Sequence, residues 1–329
     1  MSPSFRPAFA FTQEQIVVAI TLALLVLFSV TLDSFLTAGN ILALIQNVSI
    51  LGILGVAMAL AIIGRGIDLS IVANMAVSVA WVLQLSNNGV PIEIAIVMGL
   101  GLALAIGLVN GFLVAYVEIP AIFATLAMGT VAYGFVRSLL LEDNLIYLKG
   151  AADTWFKWIG SGQVVGIPNS VLLFGLVAVV AHVVLRITVP GRFIYAMGDN
   201  PTAARSTGIP IRPLIVLQYV TAAAIAFVAG VIAATSVDSV ETRIVRSNLV
   251  YDVILVVVIG GVGLSGGKGS IRNVIVGTLL IGVLVNGMTI MNVAYTLQNI
   301  IKSLILLTAI VIDSLMNPRD EQTSQQGDI

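Results

Sequence analysis

Charge is what this chain has least of. Of its 329 residues, 9% are Asp, Glu, Lys or Arg, against about a quarter in a soluble domain. It has no cysteine, which excludes disulfides, thiol catalysis and thiolate-held metal. One histidine, His182, cannot assemble a metal cluster. A net charge of −1 offers nucleic acid no partner surface. Alternation of apolar and polar residues over about ten positions is missing, which excludes a membrane β-barrel. No long polar stretch separates two apolar halves, so the chain reads as one domain.

What the chain does have is apolar length. Its residues are 59% apolar, with a mean hydropathy of +1.09. Runs of about 20 apolar residues recur, each enough to cross a hydrocarbon core about 30 Å thick. Lipid offers backbone groups no partner, so the spans are helices. The expected fold is an all-α integral membrane protein of about ten transmembrane helices, near 16–32, 41–63, 70–85, 93–117, 120–141, 170–189, 213–235, 251–264, 271–291 and 297–315. Residues 1–15 are expected as a cytoplasmic N-terminal segment, 16–315 as the transmembrane domain and 316–329 as a cytoplasmic tail. The start carries one basic residue and no small-residue cleavage site after its first apolar run, so Ile16 to Leu32 reads as an uncleaved helix.

Basic residues set the orientation. With the N-terminus in the cytoplasm, nine of 15 fall inside: Arg6, Arg65, Arg186, Arg192, Arg205, Arg212, Lys268, Arg272 and Arg319. Arg137, Lys149, Lys157, Arg243, Arg246 and Lys302 fall on or near the outer side. Both termini and residues 190–212 are then cytoplasmic. Residues 142–169 are outside, with Trp155 and Trp158 suited to the membrane interface. The fourth segment holds "GLALAIGLVNG" (101–111) and the ninth "GTLLIGVLVNG" (277–287). The offset of five spans implies an inverted repeat, an arrangement common in transporters. Chance is the competing explanation, because apolar helices draw on a small alphabet.

Two glycine motifs invite a nucleotide reading and fail it. "GVGLSG" (261–266) fits G-x-G-x-x-G, but a membrane span follows where a soluble βαβ unit is required. "GGKGS" (266–270) lacks the first glycine of a phosphate loop, and Gly269 follows Lys268 where Ser or Thr is needed. Gly266, Gly267 and Lys268 instead suit a tight cytoplasmic turn. "GRGIDLS" (64–70) supplies a second such turn through Gly66, Asp68 and Ser70. There Asp68 or Ser70 is expected to cap the next helix. Within the spans the polar residues are mainly amides: Gln46, Asn47, Asn74, Asn110, Gln218 and Asn286, with Asn292 near the outer end. A charge at mid-membrane costs at least about 2.5–3.5 kcal/mol, so the scarcity of charge speaks against ion coupling. Amides that donate and accept suit a path for a neutral, hydroxyl-rich solute, although each can equally join two helices. No nucleophile constellation, acid–base pair or cofactor site is present.

One compact polar insert reads "GRFIYAMGDNPTAARSTGIPIRP" (191–213). Asn200 is a good N-cap, Pro201 suits the first helical position, and Gly208 suits a left-handed stop before Pro210. A helix of about two turns follows, too short to be stable alone in water, so it needs a surface to pack against. Ala203 and Ala204 offer close approach, and Arg192 and Arg205 offer charge-assisted bonds.

This insert resembles the coupling loop of ABC-importer permeases of the monosaccharide class, the ribose, xylose, arabinose and galactose type. Gly191, Arg192, Tyr195, Ala196, Gly198, Asn200, Ala203, Ala204, Arg205, Gly208 and Ile209 stand where that pattern has them. "GRGIDLS", "VEIPAIFATLAMG" and the glycine-rich stretch 259–288 are similar to further family segments, and the likeness covers about 16–315. Arg65 departs from a usual Gly, Lys268 from a common Arg, and 237–252 from the usual outer loop. The resemblance implies a permease subunit in the bacterial inner membrane that moves a neutral monosaccharide or polyol by alternating access. It also implies a second permease copy or paralogue, ABC ATP-binding subunits that hydrolyse ATP below, and an external solute-binding protein. The nearest rivals are a branched-chain amino-acid permease of the same class and an ion-coupled secondary transporter.

Overall fold

A computed structural model describes residues 12–149 and 154–316. The 1–11 and 317–329 stretches, with Arg6 and Arg319, lie outside the described residues. Thirteen α-helices run in order among them: α1 (Gln13–Thr31), α2 (Ala38–Ile63), α3 (Ile71–Asn87), α4 (Ile92–Ala115), α5 (Ala121–Leu139), α6 (Thr154–Ser161), α7 (Asn169–Ile187), α8 (Val189–Asp199), α9 (Pro201–Ser206), α10 (Ile211–Val237), α11 (Leu249–Gly260), α12 (Ile271–Ile290) and α13 (Tyr295–Met316). Eight of these are long and apolar enough to cross a membrane, and α3 and α11 are shorter apolar helices. All ten fall on the ten expected segments.

Local sequence starts the helices where they start. Thr12 and Gln15 form a reciprocal capping box at α1, with Thr12 Oγ1 accepting from the Gln15 N–H and Gln15 Oε1 accepting from the Thr12 N–H. Pro91, Pro120 and Pro168 immediately precede α4, α5 and α7, where no helical N–H is lost. The two longest helices, α2 and α10, form the centre. The stretch from Ile53 to Ile63 is apolar and buried on every side, as expected of a helix enclosed by others. Against α10, α4 presents Gly99, Ala103, Gly107 and Gly111 at a spacing of four. A Cβ at Gly107 would lie 2.7 Å from the Tyr219 carbonyl oxygen, and one at Gly111 would lie 2.6 Å from Val216 Cα. Small residues in register thus let the two backbones close up.

The neighbour pattern repeats with a five-span offset. α10 packs on α4 and α3, while α2 packs on α12 and α11. α3 packs on α4 and α5, while α11 packs on α12 and α13. The first and sixth spans break the rule, since α1 lies against α12 whereas α7 lies against α2. The repeat does not extend to the glycines that suggested it. Gly101 faces open space, while a Cβ at Gly277 would strike the Val256 carbonyl.

At one end of the bundle the described parts of the linker, 142–149 and 154–169, form a folded cap. Strand β1 (Leu145–Tyr147) pairs antiparallel with β4 (Ser239–Glu241). α6 packs on α10 with Phe156 fully buried. β2 (Gln163–Val164) and β3 (Ile167–Pro168) form a hairpin, turned by Val165 and Gly166, both at positive φ. Trp155 and Trp158 remain exposed on α6.

Candidate functional site

The opposite end carries the polar insert, which folds as two helices rather than one. Thr188 caps α8 by accepting from the Gly191 N–H, and Pro190 occupies its first turn. Gly191, Ile194, Met197 and Gly198 are buried, a spacing of three and four that seats one face of α8. Asn200 then ends α8 and caps α9, with Oδ1 accepting from the Ala203 N–H at 3.0 Å. Gly208, at φ +83°, closes α9. Its N–H bonds Arg205 O, and the Ile209 N–H bonds Ala204 O, so both halves of a Schellman stop are present. Ala203 and Arg205 are exposed, as is Arg192 on α8. Ala204 corrects the expectation that both alanines face outward: at 4% exposure it packs into the chain's own core. It anchors α9, leaving Thr202, Ala203, Arg205 and Ser206 approachable.

Beneath α8 three segments meet within hydrogen-bond distance. The Gly267 N–H donates to Ile63 O at 2.7 Å, joining the 261–270 turn to the last residue of α2. Gly198 lies across this bond, where a Cβ would clash with the Ile63 carbonyl. Tyr195 Oη donates to Gly269 O at 2.9 Å, and Asp313 of α13 accepts from the Leu264 N–H. α2 ends in its own Schellman stop: Arg65 N–H to Ile62 O and Gly66 N–H to Ala61 O. The left-handed position falls on Arg65, at φ +69°, which accounts for glycine as the usual family residue there. Arg65 offsets the strain through Nε, which donates to Ser265 O at 2.9 Å. Lys268 is exposed on the same turn.

The "IDLS" half of that turn is a buried polar knot. Asp68 accepts from the Ser70 N–H at 2.9 Å and from Ser70 Oγ at 2.6 Å. Neither side chain caps the first turn of α3, contrary to the capping expectation. Instead Asn110 Nδ2 donates to Ser70 Oγ at 2.7 Å, and Thr125 Oγ1 accepts from the Leu69 N–H and donates to Ile67 O. The knot therefore ties the α2–α3 turn to α4 and α5. Burial pushes the Asp68 carboxyl up to about 6, against the two Ser70 hydrogen bonds that pull it down.

The intramembrane amides divide into two groups. Asn74, Asn110 and Gln218 are buried and join helices: Asn74 bonds Ala103 O, Asn110 bonds Ser70, and Gln218 bonds Leu60 O. Asn286 makes a reciprocal pair with Asn40, at 3.0 and 2.8 Å. Gln46 is half-buried and Asn47 exposed on α2. A residue missed from sequence is Lys302, whose Nζ meets Asp252 Oδ2 at 2.7 Å. Its signal was a lone lysine, the sixth residue of the expected apolar segment 297–315.

The family described as branched-chain amino acid transport system / permease component matches residues 40–311. The ribose import permease protein of Escherichia coli K12 is 32% identical over 93% of this chain and 95% of its own. The corresponding ribose protein of Bacillus subtilis 168 is 33% identical over 88% and 89%. The galactofuranose transporter permease protein of Escherichia coli K12 is 29% identical over 84% and 80%. No solved structure matches. The match over most of the chain, together with its bundle of apolar helices, makes this protein a member of the permease-component family of ABC importers.

Proposed function

We propose that the chain is the membrane subunit through which an ATP-driven importer passes a neutral monosaccharide. The support for a sugar is the set of import permeases for ribose, fructose and galactofuranose to which it is similar. Family membership brings an ATP-binding subunit, which hydrolyses ATP, and a solute-binding protein as partners. A second permease, identical or paralogous, completes the pore in this reading. The exposed apolar residues of α1 and α4, such as Val26 and Val97, meet lipid. The end bearing α9 is cytoplasmic and both termini lie on that side, in accord with the basic residues gathered there.

The observation that carries the coupling reading is α9 itself: a two-turn helix capped at both ends, anchored by Ala204, with Ala203 and Arg205 outward. Docked in a groove of the ATP-binding subunit, α9 moves when that subunit closes. α8 passes the movement through Gly198 to the end of α2 and the 261–270 turn, and so to the spans. Gln46 and Asn47, on the open side of α2, are the leading pathway amides. Asn74, Asn110 and Gln218 hold the moving helices in register.

The test is uptake by proteoliposomes containing the permease, its ATP-binding subunit and its binding protein. Ala203→Trp and Arg205→Glu alter exposed positions and should insert normally. Each is expected to lower ATP-dependent uptake about tenfold or more, as loss of a central docking contact would. Uptake equal to the parent's in both would sink the docking claim, and uptake of leucine in place of any sugar would sink the substrate class.

A further inference from the structure

Between α11 and α13 lies a cavity of about 290 Å³. Its polar wall carries Asn248, Tyr251, Asp252, Asn299, Lys302 and Ser303. Leu255 and Leu306 continue the lining one turn further along the same two helices. Lys302 is 7% exposed and Asp252 21%, and each neutralises the other at 2.7 Å. Asn299 Oδ1 is buried against this wall without a hydrogen-bond partner. That oxygen is closed to the cavity, and the half-buried Asn299 meets it through the rest of its side-chain amide.

We propose that this cavity is a binding station for one neutral polyhydroxylated molecule on its way through the permease. The inference rests on the sugar-import reading above and assigns residues to it. A hydroxyl can donate to Asp252 and accept from Lys302 or the Asn299 amide N–H, so it enters the ion pair without adding charge. An anion would have to displace Asp252 from Lys302, and a cation the reverse. The apolar lining suits the C–H face of a sugar ring. The volume sits at the lower bound of small-molecule sites, about 300 Å³, which admits a monosaccharide and little more. Few contacts, weak and mutually exchangeable, favour release over retention.

The chain's lack of cysteine gives a direct assay. Ser303→Cys places its only thiol in the cavity, and Val165→Cys places one on the 95% exposed hairpin tip. The assembled transporter is treated with a charged, membrane-impermeant methanethiosulfonate, with and without whichever of D-ribose, D-fructose or D-galactose the parent imports. The Ser303→Cys thiol should react, and the sugar at about twice its dissociation constant should slow it about threefold while sparing Val165→Cys. In parallel, Asn299→Leu should lower sugar uptake about tenfold at unchanged binding-protein-stimulated ATPase, with Asn299→Gln recovering part. A thiol at 303 that never reacts, or reacts equally fast with sugar present, overturns the station. So does normal uptake by Asn299→Leu. A parent that imports none of the three sugars refutes the sugar-import reading instead.

Discussion

Replacing Gly198 with alanine tests whether α8 transmits force or merely fills space. The new Cβ would stand 2.5 Å from the Gly267 nitrogen and closer still to the Ile63 carbonyl oxygen. Both are backbone atoms and cannot rotate away. Relief requires α8 to lift by on the order of 1 Å, given carbon contact distances of about 3.5 Å. Overpacking of this kind costs about 1–3 kcal/mol. Spreading the 2.7 Å Gly267–Ile63 hydrogen bond adds about 1 kcal/mol. If the cost of about 2–4 kcal/mol falls on one of two transport states, their ratio shifts by about 30-fold to 1000-fold. The control is Gly208→Ala, where positive φ strains the backbone but nothing lies within 4 Å. Uptake and ATPase are measured together in proteoliposomes. Gly198→Ala is expected to abolish uptake while ATP hydrolysis persists, and Gly208→Ala to lose stability with its coupling intact. Equal coupling ratios in the parent and Gly198→Ala would refute the idea that this seam carries the stroke.

Asp68 titrates at about 6 in the fold, above the ordinary carboxylate near 4. Its contribution to stability is therefore present in full below pH 4 and lost as pH rises through 6, by about 3 kcal/mol. Asp68→Asn should flatten that part of the thermal-stability profile in detergent; an unchanged slope would contradict it. Alanine at Asn40 and Asn286, singly and together, should give a coupling energy of about 0.6–1.7 kcal/mol, and additivity would mean the pair does not tie α2 to α12. Asn200→Ala should cost about 1 kcal/mol and open residues 199–210 to limited proteolysis, while Asn200→Asp should not.

The spans and the α9 helix were legible because both rest on local rules. A run of apolar residues specifies a membrane helix without reference to its neighbours, and Asn200, Pro201 and Gly208 act on the backbone at hand. α8 was legible in principle, through Thr188, Pro190 and the spacing of Ile194 and Met197, but its two glycines disguised it as loop. What sequence could not show was partnership. Gln218 and Asn47 are both amides in apolar helices, yet one is spent on Leu60 O and the other stands exposed. That difference is set by which helix lies alongside. Lys302 was hidden for the same reason, since its acid stands 50 residues away. Ala204 turned inward because α8 and α10 pack against α9, a matter of tertiary neighbours rather than of composition.

The brevity of α11 has a mechanical consequence. Twelve residues rise about 18 Å, well short of a hydrocarbon core about 30 Å thick. Its last turn meets Gln13 at the start of α1, whose Nε2 donates to Val258 O and Ile259 O, so the shortfall falls at the other end: α11 begins, at Leu249, inside that thickness, where bare backbone is not left against lipid. The stretch of α11 that lies within the membrane is accordingly short. An element that short needs only a short throw to change place, and in the proposed coupling a short throw is what a two-turn helix on a glycine seam would deliver.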